Sequence, residues 1–219
     1  MSPMTRFENL ENAKQRRILD VAAAEFSANG YNGASLNRIV REAGMSKGAF
    51  YYYFEDKADL FVTVARDFDE LVRGDLDLDP DHLTAETWWP TFDALISRAM
   101  ATVAERPEWA GLGKAFHDIP QDQWFEGTIG AYVTDHLNEF SRRVSRGQEL
   151  EVVRTDLPTS LLVEIWMGVN TVMDKWALNQ WDAATDEERQ VLMTYQFDML
   201  KRMLLPNLIP PLTSDEEIL

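Results

Sequence analysis

The chain contains no cysteine among its 219 residues. This absence excludes disulfide bonds, thiolate zinc sites and cysteine nucleophiles, and it fits a reducing compartment. Histidine is almost as scarce, since His82, His117 and His136 are the only three. They form no H-x-x-x-H zinc pair, and the chain has no phosphate-binding loop of the G-x-x-x-x-G-K-S/T type. We therefore expect no catalytic residue, no metal and no cofactor, and hence not an enzyme.

Long apolar runs and strand-like alternation are missing as well. No apolar run reaches the roughly 20 residues that cross a bilayer, and no signal peptide opens the chain. We therefore expect a cytoplasmic protein with no membrane partner. No segment alternates apolar and polar residues with the period of a half-buried strand. The predicted fold class is all-α.

The charge is divided unevenly along the chain. The 21 basic and 37 acidic residues give a net charge of −16. Residues 1–60 carry eight residues of each sign, so the whole acidic excess lies in the remainder. That remainder disfavours anionic membranes and non-specific contact with nucleic acid, whereas the basic groups of the first 60 residues are available to a phosphate backbone.

The segment from Ser35 to Phe54 is the most informative part of the chain. Ser35 is a good N-cap for a short helix, and Gly44 ends that helix because glycine adopts the left-handed backbone at little cost. Ser46 then caps a second short helix that is rich in tyrosine. Phe50 and Phe54 lie one turn apart and are predicted to point inward. Two short helices joined by a tight turn are the layout of a helix-turn-helix DNA reader.

The flanking segments agree with this interpretation. An amphipathic helix that ends at Asn29-Gly30 precedes the segment, and a helix capped by Asp56 follows it. The alternative is a plain three-helix unit without a role in nucleic-acid binding, in which the aromatic run is only core.

The stretch from Lys14 to Phe61 resembles the DNA-binding domain of the TetR/AcrR family of bacterial transcriptional regulators. Four motifs carry the resemblance in register: F-x-x-x-G-Y at residues 26–31, A-G-M-S-K-G at 43–48, Y-Y-F at 52–54 and D-K-x-x-L-F at 56–61. The resemblance implies a homodimer that binds a double-stranded DNA operator through the third helix of each subunit. It also implies a small-molecule effector held by a C-terminal domain.

The resemblance indicates which residues contact DNA. The start of the reading helix faces the groove, its tyrosines touch phosphate or base, and the preceding helix crosses the phosphates. A lysine that follows the reading helix, Lys57, matches a residue that contacts the DNA backbone. The predicted DNA-binding residues are Ser35, Asn37, Arg38, Ser46, Lys47, Gly48, Ala49, Tyr51, Tyr52, Tyr53 and Lys57. Ala49 departs from the pattern, because relatives often carry threonine or serine there.

The predicted domains follow from the resemblance and from helix-stop signals. Residues 1–60 form the three-helix reader, residues 56–73 a connecting fourth helix, and residues 74–205 a larger helical domain for ligand binding and dimerisation. Helices in the second domain are predicted from Trp88 to Ala104, Trp109 to Phe116, about Gln121 to Ser145, Pro158 onward, and near Thr185 to Leu205. Prolines at 206, 210 and 211 end regular structure, so residues 206–219 are predicted to be a flexible tail.

The predicted linker from Gly74 to Leu83 mimics a calcium loop. Its sixth position must be glycine in an EF-hand, but here it is Pro80, whose φ is locked negative. We therefore interpret the segment as a solvated acidic linker. The residues at the ligand positions are Asp75, Asp77, Asp79, Asp81 and Glu86.

All seven tryptophans lie in the second domain, which favours an adaptable aromatic pocket. Glu164 and Asp174 on a tryptophan-rich helix, with Asp118 and Glu126 near Trp124, favour an aromatic or cationic effector, because carboxylates beside indoles hold organic cations. The alternatives are core packing for the aromatic residues and ordinary surface acidity for the carboxylates. The predicted pocket residues are Trp89, Phe92, Met100, Trp109, Phe116, Trp124, Phe125, Glu164, Met167 and Met173.

In the TetR/AcrR family, which this chain resembles, the last two long helices pair with their copies in the partner subunit as a four-helix bundle. Apolar residues on those helices supply the predicted dimer interface, unless they belong to the core of their own subunit. These residues are Leu162, Val169, Val191, Tyr195, Met199 and Met203.

Taken with the resemblance, these features favour a homodimeric repressor that leaves a palindromic operator when a small molecule occupies the aromatic pocket. An activator, or a regulator that needs its effector to bind DNA, has the same parts, so the sign of the response stays open. The third alternative is a helical small-molecule-binding protein or enzyme with a vestigial reader.

Overall fold

The fold is a bundle of helices in the computed structural model, which describes residues 3–106, 108–181 and 183–206. The predicted tail falls almost wholly on residues 207–219, which lie outside the described residues. The described part contains α-helices and two 3₁₀ turns and no strand, so the predicted all-α class is confirmed. The helices are α1 (Pro3–Glu8), α2 (Asn12–Gly33), α3 (Leu36–Glu42), α4 (Lys47–Tyr53), α5 (Lys57–Arg73), α6 (Trp88–Glu105), α7 (Glu108–His117), α8 (Gly127–Glu149), α9 (Thr159–Trp181) and α10 (Asp186–Leu204).

The helix ends of the reader are set by local side-chain chemistry. The side chains of Ser35 and Ser46 accept hydrogen bonds from backbone N–H groups of the first turns of α3 and α4, at 3.4 and 3.1 Å. Asp56 caps α5 in the same way at 2.9 Å. Gly44 adopts a φ of +72°, which a side chain would disfavour. The regular part of α2 is interrupted at Gly30, where φ is +68°, as the predicted stop signal requires.

Two elements differ from the predicted ones. The chain begins with a further helix, α1, that the sequence pattern did not indicate. Helix α8 begins at Gly127 rather than near Gln121, because residues 121–123 form a 3₁₀ turn that the Trp124 indole holds by donating to the carbonyl of Ile119 at 3.0 Å.

The larger hydrophobic core crosses the predicted domain boundary at residue 74. It combines Phe26 of the reader and Phe61 of the connecting helix α5 with Trp109, Ile119 and Ile129 of the second domain. A second core lies wholly beyond the boundary and is built from Leu83, Trp88, Phe140, Val144, Val153, Leu162, Val163 and Leu204. The reader and α7 therefore share buried apolar contacts, and a shift of α7 must disturb α2.

The acidic linker is organised by its own carboxylates. Asp77 and Asp79 each accept a backbone N–H two residues further on, at 3.1 Å. Asp77 also accepts from His82 Nδ1 at 2.7 Å, and Asp75 pairs with Arg98. Within the described part of the chain, no three His, Asp or Glu side chains are grouped so that they could hold a metal ion. None of the helices described is long and apolar enough to cross a membrane.

Helices α5 and α8 are joined by a polar cluster around Asp69. Its Oδ2 accepts from the Tyr132 hydroxyl at 2.8 Å and from His136 Nε2 at 3.0 Å, while His136 Nδ1 lies 3.0 Å from the carbonyl of Tyr132. A carbonyl and a carboxylate can only accept, so both ring nitrogens of His136 carry a proton in this arrangement. Burial lowers the pKa of His136, but the hydrogen bond and charge of Asp69, with smaller contributions from Glu139 and the Tyr132 carbonyl, outweigh it and raise the pKa. Burial and Asp69 together also raise the pKa of the Tyr132 hydroxyl.

We expect His136 to make stability depend on pH. Since its pKa is raised in the folded state, its contribution is complete below the ordinary value of 6.5 and is lost as the pH rises through the raised pKa. The free energy of unfolding of His136→Gln should therefore differ most from that of the wild type below pH 6.5, and the gap should narrow as the pH rises above that value. Denaturant titrations at one fixed protein concentration measure this gap. A gap that stays constant across the range would contradict the role of the charged imidazole.

Candidate nucleic-acid interface and sensing domain

The reading helix α4 is anchored on one side and open on the other. Phe50 and Phe54 are each 1% exposed and form the anchor, as predicted from their spacing. Tyr51 and Tyr52 are 61% and 53% exposed, so both rings face solvent. The helix therefore presents two tyrosine hydroxyls to solvent from a rigid base.

The other predicted DNA-binding residues of α3 and α4 divide into three groups. Lys47 and Gly48 at the start of α4, and Asn37 on α3, are exposed beside the tyrosines. Ala49 and Tyr53 are half-buried. The hydroxyls of Ser35 and Ser46 are occupied as helix caps, so these two residues act first through the backbone geometry of the helices that they begin.

Two predicted DNA-contacting cations are engaged within the reader. Arg38 lies 3.1 Å from a carboxylate oxygen of Glu25, which is only 6% exposed and also accepts the backbone N–H of Ser35. The Lys57 ammonium donates to the carbonyl of Tyr31 at 2.7 Å and lies 4.7 Å from the centre of the Tyr31 ring. These contacts fix the relative positions of α2, α3 and α5, and a contact with DNA stays a prediction for both residues.

Helix α1 adds a residue that the sequence analysis missed. Phe7 is 5% exposed and packs against the rings of Tyr53 and Phe54. Arg6 lies over the ring of Tyr52. Helix α1 has only six residues, which is too few for a periodic apolar pattern to identify it from the sequence.

The reader meets the second domain where α7 crosses α2. Gly111 packs so closely on Ser27 that an added Cβ would lie 2.7 Å from the Cα of Ser27. Beyond the end of α7, Asp118 accepts the backbone N–H of Asn32 at 3.0 Å, and the Asn32 side chain donates to the Asp118 carbonyl at 2.8 Å. An added Cβ at Gly30 would lie 2.8 Å from the Asp118 carboxylate. The joint thus depends on two glycines and on two hydrogen bonds that Asn32 donates to Asp118.

His117, the neighbour of Asp118, is tied to the interior of the second domain. Its Nε2 lies 3.2 Å from the Asp174 carboxylate of α9, which also accepts from Asn170 at 2.9 Å and from Gln196 of α10. The other ring nitrogen of His117 is buried and has no hydrogen-bond partner among the described residues. His117, the last residue of α7, and Asp118, which follows it, therefore connect α9 and α10 to the last turn of α2.

The predicted pocket residues lie in different places. Trp109, Trp124, Phe116 and Met167 belong to the larger core. Trp89 and Phe92 pack on the second core, and Met100 and Met173 are half-buried. Phe125 is 59% exposed and Glu164 is exposed, so neither lies in an interior site in this conformation. A polar cleft of about 350 Å³ lies elsewhere, between Arg73, the linker at 76–80, and Glu139, Arg142 and Arg143 of α8.

Helices α9 and α10 expose an apolar face. Val191, Tyr195 and Met199 of the predicted interface are 48%, 68% and 50% exposed, and Val169 and Met203 are half-buried. Leu162 is 3% exposed and packs in the second core, so it belongs to its own subunit and not to the predicted interface. The face also contains residues that the prediction omitted, namely Leu161, Ile165, Val172 and Trp176.

An exposed reading helix behind a tight turn, joined to a larger helical domain, defines a helix-turn-helix protein. A family model described as "Bacterial regulatory proteins, tetR family" matches residues 18–64. The HTH-type transcriptional repressor AcnR of Corynebacterium efficiens is 30% identical over 167 residues, which cover 74% of this chain and 79% of the relative. The HTH-type transcriptional repressor SCO4008 of Streptomyces coelicolor is 28% identical over 186 residues, covering 80% and 88%.

Solved structures share the fold at low sequence identity. FadR from Bacillus subtilis in complex with stearoyl-CoA has a TM-score of 0.63 and 18% identity, covering 86% of this chain and 97% of FadR. The SmeT–triclosan complex has a TM-score of 0.65 and 16% identity, covering 94% and 99%. The chain belongs to the TetR family of bacterial regulatory proteins. It is a DNA-binding transcriptional regulator.

Proposed function

We propose that the protein is a homodimeric repressor that binds a palindromic operator and leaves it when a small molecule occupies the second domain. The observation that carries the proposal is the exposed pair Tyr51 and Tyr52 on a reading helix whose buried side is fixed by Phe50 and Phe54. Residues 1–60 are the reader and residues 74–205 the sensing and dimerising part. Two of the similar proteins named above are transcriptional repressors, which supports repression rather than activation of transcription. The protein acts by binding rather than catalysis, in the cytoplasm.

The apolar face of α9 and α10 supports the dimer. Several exposed apolar side chains along neighbouring helices mark an interaction surface. A second copy of the chain is the occupant that also explains the reader, because a two-fold dimer presents two reading helices to successive major grooves about 34–36 Å apart.

Helix α7 supports a route from effector to operator. Displacing His117 from Asp174 moves Asp118, whose bonds to Asn32 hold the turn to which Lys57 is also bonded. Lys57 begins α5, directly after the reading helix. A ligand that favours another position of α7 shifts the population of dimers away from the spacing that matches the operator.

The proposed effector is an aromatic or largely apolar molecule. The second domain supplies indoles and methionines, whereas the carboxylates that suggested a cation are engaged or on the surface. Asp174 accepts three protein hydrogen bonds, and Asp118 is bonded to Asn32. Stearoyl-CoA and triclosan, which FadR and SmeT hold, are the first compounds to test, with the quenching of tryptophan fluorescence as the signal.

A regulator that binds DNA more tightly with its effector would have the same two domains. In an activator or a co-repressor-dependent regulator, the effector would raise the affinity for the operator. Measuring the DNA affinity with and without a compound that quenches tryptophan fluorescence separates the two, because a repressor of the proposed type loses affinity when the compound binds.

The DNA interface is tested by substitutions at the exposed end of α4. We expect Tyr51→Ala and Lys47→Ala each to weaken binding to a duplex selected from a random pool by the wild-type protein, by roughly tenfold, since each removes a hydrogen bond that involves a charged group. Fluorescence anisotropy measures the affinity.

Tyr51→Phe is the matched control, because it keeps the ring and removes only the hydroxyl. If Tyr51→Phe loses as much affinity as Tyr51→Ala, the hydroxyl makes the contact. If the alanine variants bind as tightly as the wild type, or if the wild type selects no duplex from the pool, the chain does not read DNA through α4.

A further inference from the structure

We propose that Arg6 on helix α1 is an additional phosphate contact of the DNA interface, placed beside Tyr52 of the reading helix. The inference rests on the proposed function, because it extends the same interface. Helix α1 precedes residues 18–64, which the family model matches. From the sequence, Arg6 counted only among the basic groups of residues 1–60 that are available to a phosphate backbone, and no place beside the reading helix was predicted for it.

Helix α1 is held against the reading helix by an aromatic anchor. The ring centre of Phe7 lies 5.0 Å from that of Phe54 and 6.4 Å from that of Tyr53. Phe7 is 5% exposed, and Phe54 is a buried anchor of α4. Burying a phenylalanine fixes the short helix α1, which would be unstable alone. Arg6, one residue before Phe7, is therefore carried by the same rigid body as the reading helix.

The Arg6 side chain lies at the exposed end of that body. One terminal nitrogen donates to the Tyr52 carbonyl at 3.3 Å, and the guanidinium carbon lies 4.7 Å from the centre of the Tyr52 ring. A guanidinium has five N–H donors in a planar fork that matches phosphate geometry. Because Tyr52 is 53% exposed and stacked under the guanidinium, both groups face the same side of the reader.

The other cations of the reader show why Arg6 matters. Residues 1–60 have no net charge. Attraction to the phosphate backbone therefore depends on the cations whose charge is not neutralised by a neighbouring carboxylate. Four basic side chains, Lys14, Arg16, Arg38 and Arg41, are paired with carboxylates. Among the described residues of the reader, no ion pair with a carboxylate is made by Arg6, Arg17, Lys47 or Lys57, and Lys57 is bonded to two backbone carbonyls.

The position of Arg6 indicates a phosphate rather than a base. The N-terminal residues of a recognition helix contact base edges, and its later turns approach the rim of the groove. Lys47 begins α4, whereas Tyr52 lies in its last turn. A guanidinium stacked on Tyr52 is thus at the rim, where the phosphates lie, and it adds affinity that does not depend on sequence.

The test compares Arg6→Ala, Arg6→Gln and Arg6→Lys, using the duplex that the wild type selects and a scrambled duplex, across a salt series. Removing one phosphate contact per subunit lowers the slope of log affinity against log salt by about 0.9, hence about 1.8 for a dimer. We expect Arg6→Ala and Arg6→Gln to show this loss and roughly tenfold weaker binding to both duplexes near physiological salt, and Arg6→Lys to keep the slope. Arg142→Ala on α8 is the control for a change of net charge, because Arg142 is exposed in the second domain.

The outcomes separate the inference from the proposed function. An unchanged salt slope in Arg6→Gln would overturn the phosphate contact, even if affinity falls, since Arg6 would then only position Tyr52. An equal loss in Arg142→Ala would also overturn it, because the effect would be one of total charge. If Lys47→Ala and Tyr51→Ala weaken binding while Arg6→Ala does not, the inference alone fails. If none of the three weakens binding, the proposed function fails. Thermal denaturation of each variant checks that α1 stays docked through Phe7.

Discussion

The substitution Gly111→Ala is expected to destabilise the protein by about 1–3 kcal/mol, the range found for an added methyl in a tightly packed interior. The new Cβ would lie 2.6 Å from the Cβ and 2.7 Å from the Cα of Ser27, and closer still to its hydroxyl. A backbone atom cannot turn aside as a flexible side chain does, so α7 must move away from α2. The measurement is the free energy of unfolding at a fixed protein concentration.

Gly113→Ala is the matched control, two residues further along the same helix. No atom lies within 4 Å of the Cβ added there. Replacing a helical glycine by alanine without a clash stabilises a helix by up to about 1 kcal/mol. The two variants should therefore change stability in opposite directions. If Gly111→Ala is as stable as Gly113→Ala, the close approach of α7 to α2 does not exist in solution.

A double variant tests how much of the lost stability comes from the clash with the Ser27 side chain. Ser27→Gly in the Gly111→Ala background removes the Cβ and hydroxyl of Ser27 but leaves its Cα, so it should restore part of the lost stability. If α7 carries the signal, Gly111→Ala should also change the affinity for DNA, because Asp118 at the end of α7 holds Asn32 of the reader.

The substitution Tyr195→Glu is expected to dissociate the dimer and to lower operator affinity by about 100-fold or more, because joint binding of two linked readers gains roughly 10²–10⁴ over a single one. Tyr195 is 68% exposed at the centre of the apolar face of α9 and α10, so its loss removes little from the core of its own subunit. A buried carboxylate opposite its copy across a two-fold axis is strongly unfavourable.

Light scattering reports the mass, and circular dichroism reports whether the subunit stays folded. Gln190→Glu places the same carboxylate five residues earlier on α10, at an exposed position on a different side of the helix, and should leave both mass and affinity unchanged. A Tyr195→Glu protein that is still a dimer and still binds its operator would show that this face is not the interface.

Much of the reader could be predicted from the sequence because its signals are local. A serine before each short helix and a glycine after the first act on backbone groups within three or four residues, and the structure shows these contacts at Ser35, Gly44 and Ser46. The inward positions of Phe50 and Phe54 follow from helical spacing alone. Helix α1 could not be predicted from the sequence, because its stability comes from packing Phe7 on Tyr53 and Phe54, which are far away in sequence.

The second domain could be predicted as helices but not as a site. Periodicity shows that one face of a helix is buried, but not what it is buried against. Leu162 and Tyr195 are both apolar residues of long helices, yet the first lies in the core and the second on the surface. Trp109 and Trp89, predicted to share a pocket, pack on different cores.

The chain's local chemistry therefore determined the class of fold and the reader, while the tertiary structure decided how the two domains are joined. The bonds between Asn32 and Asp118 span 86 residues, and the contact of Gly111 with Ser27 spans a similar distance. Such pairs leave no periodic trace in the sequence, because their partners are set by the packing of whole helices and not by the backbone nearby.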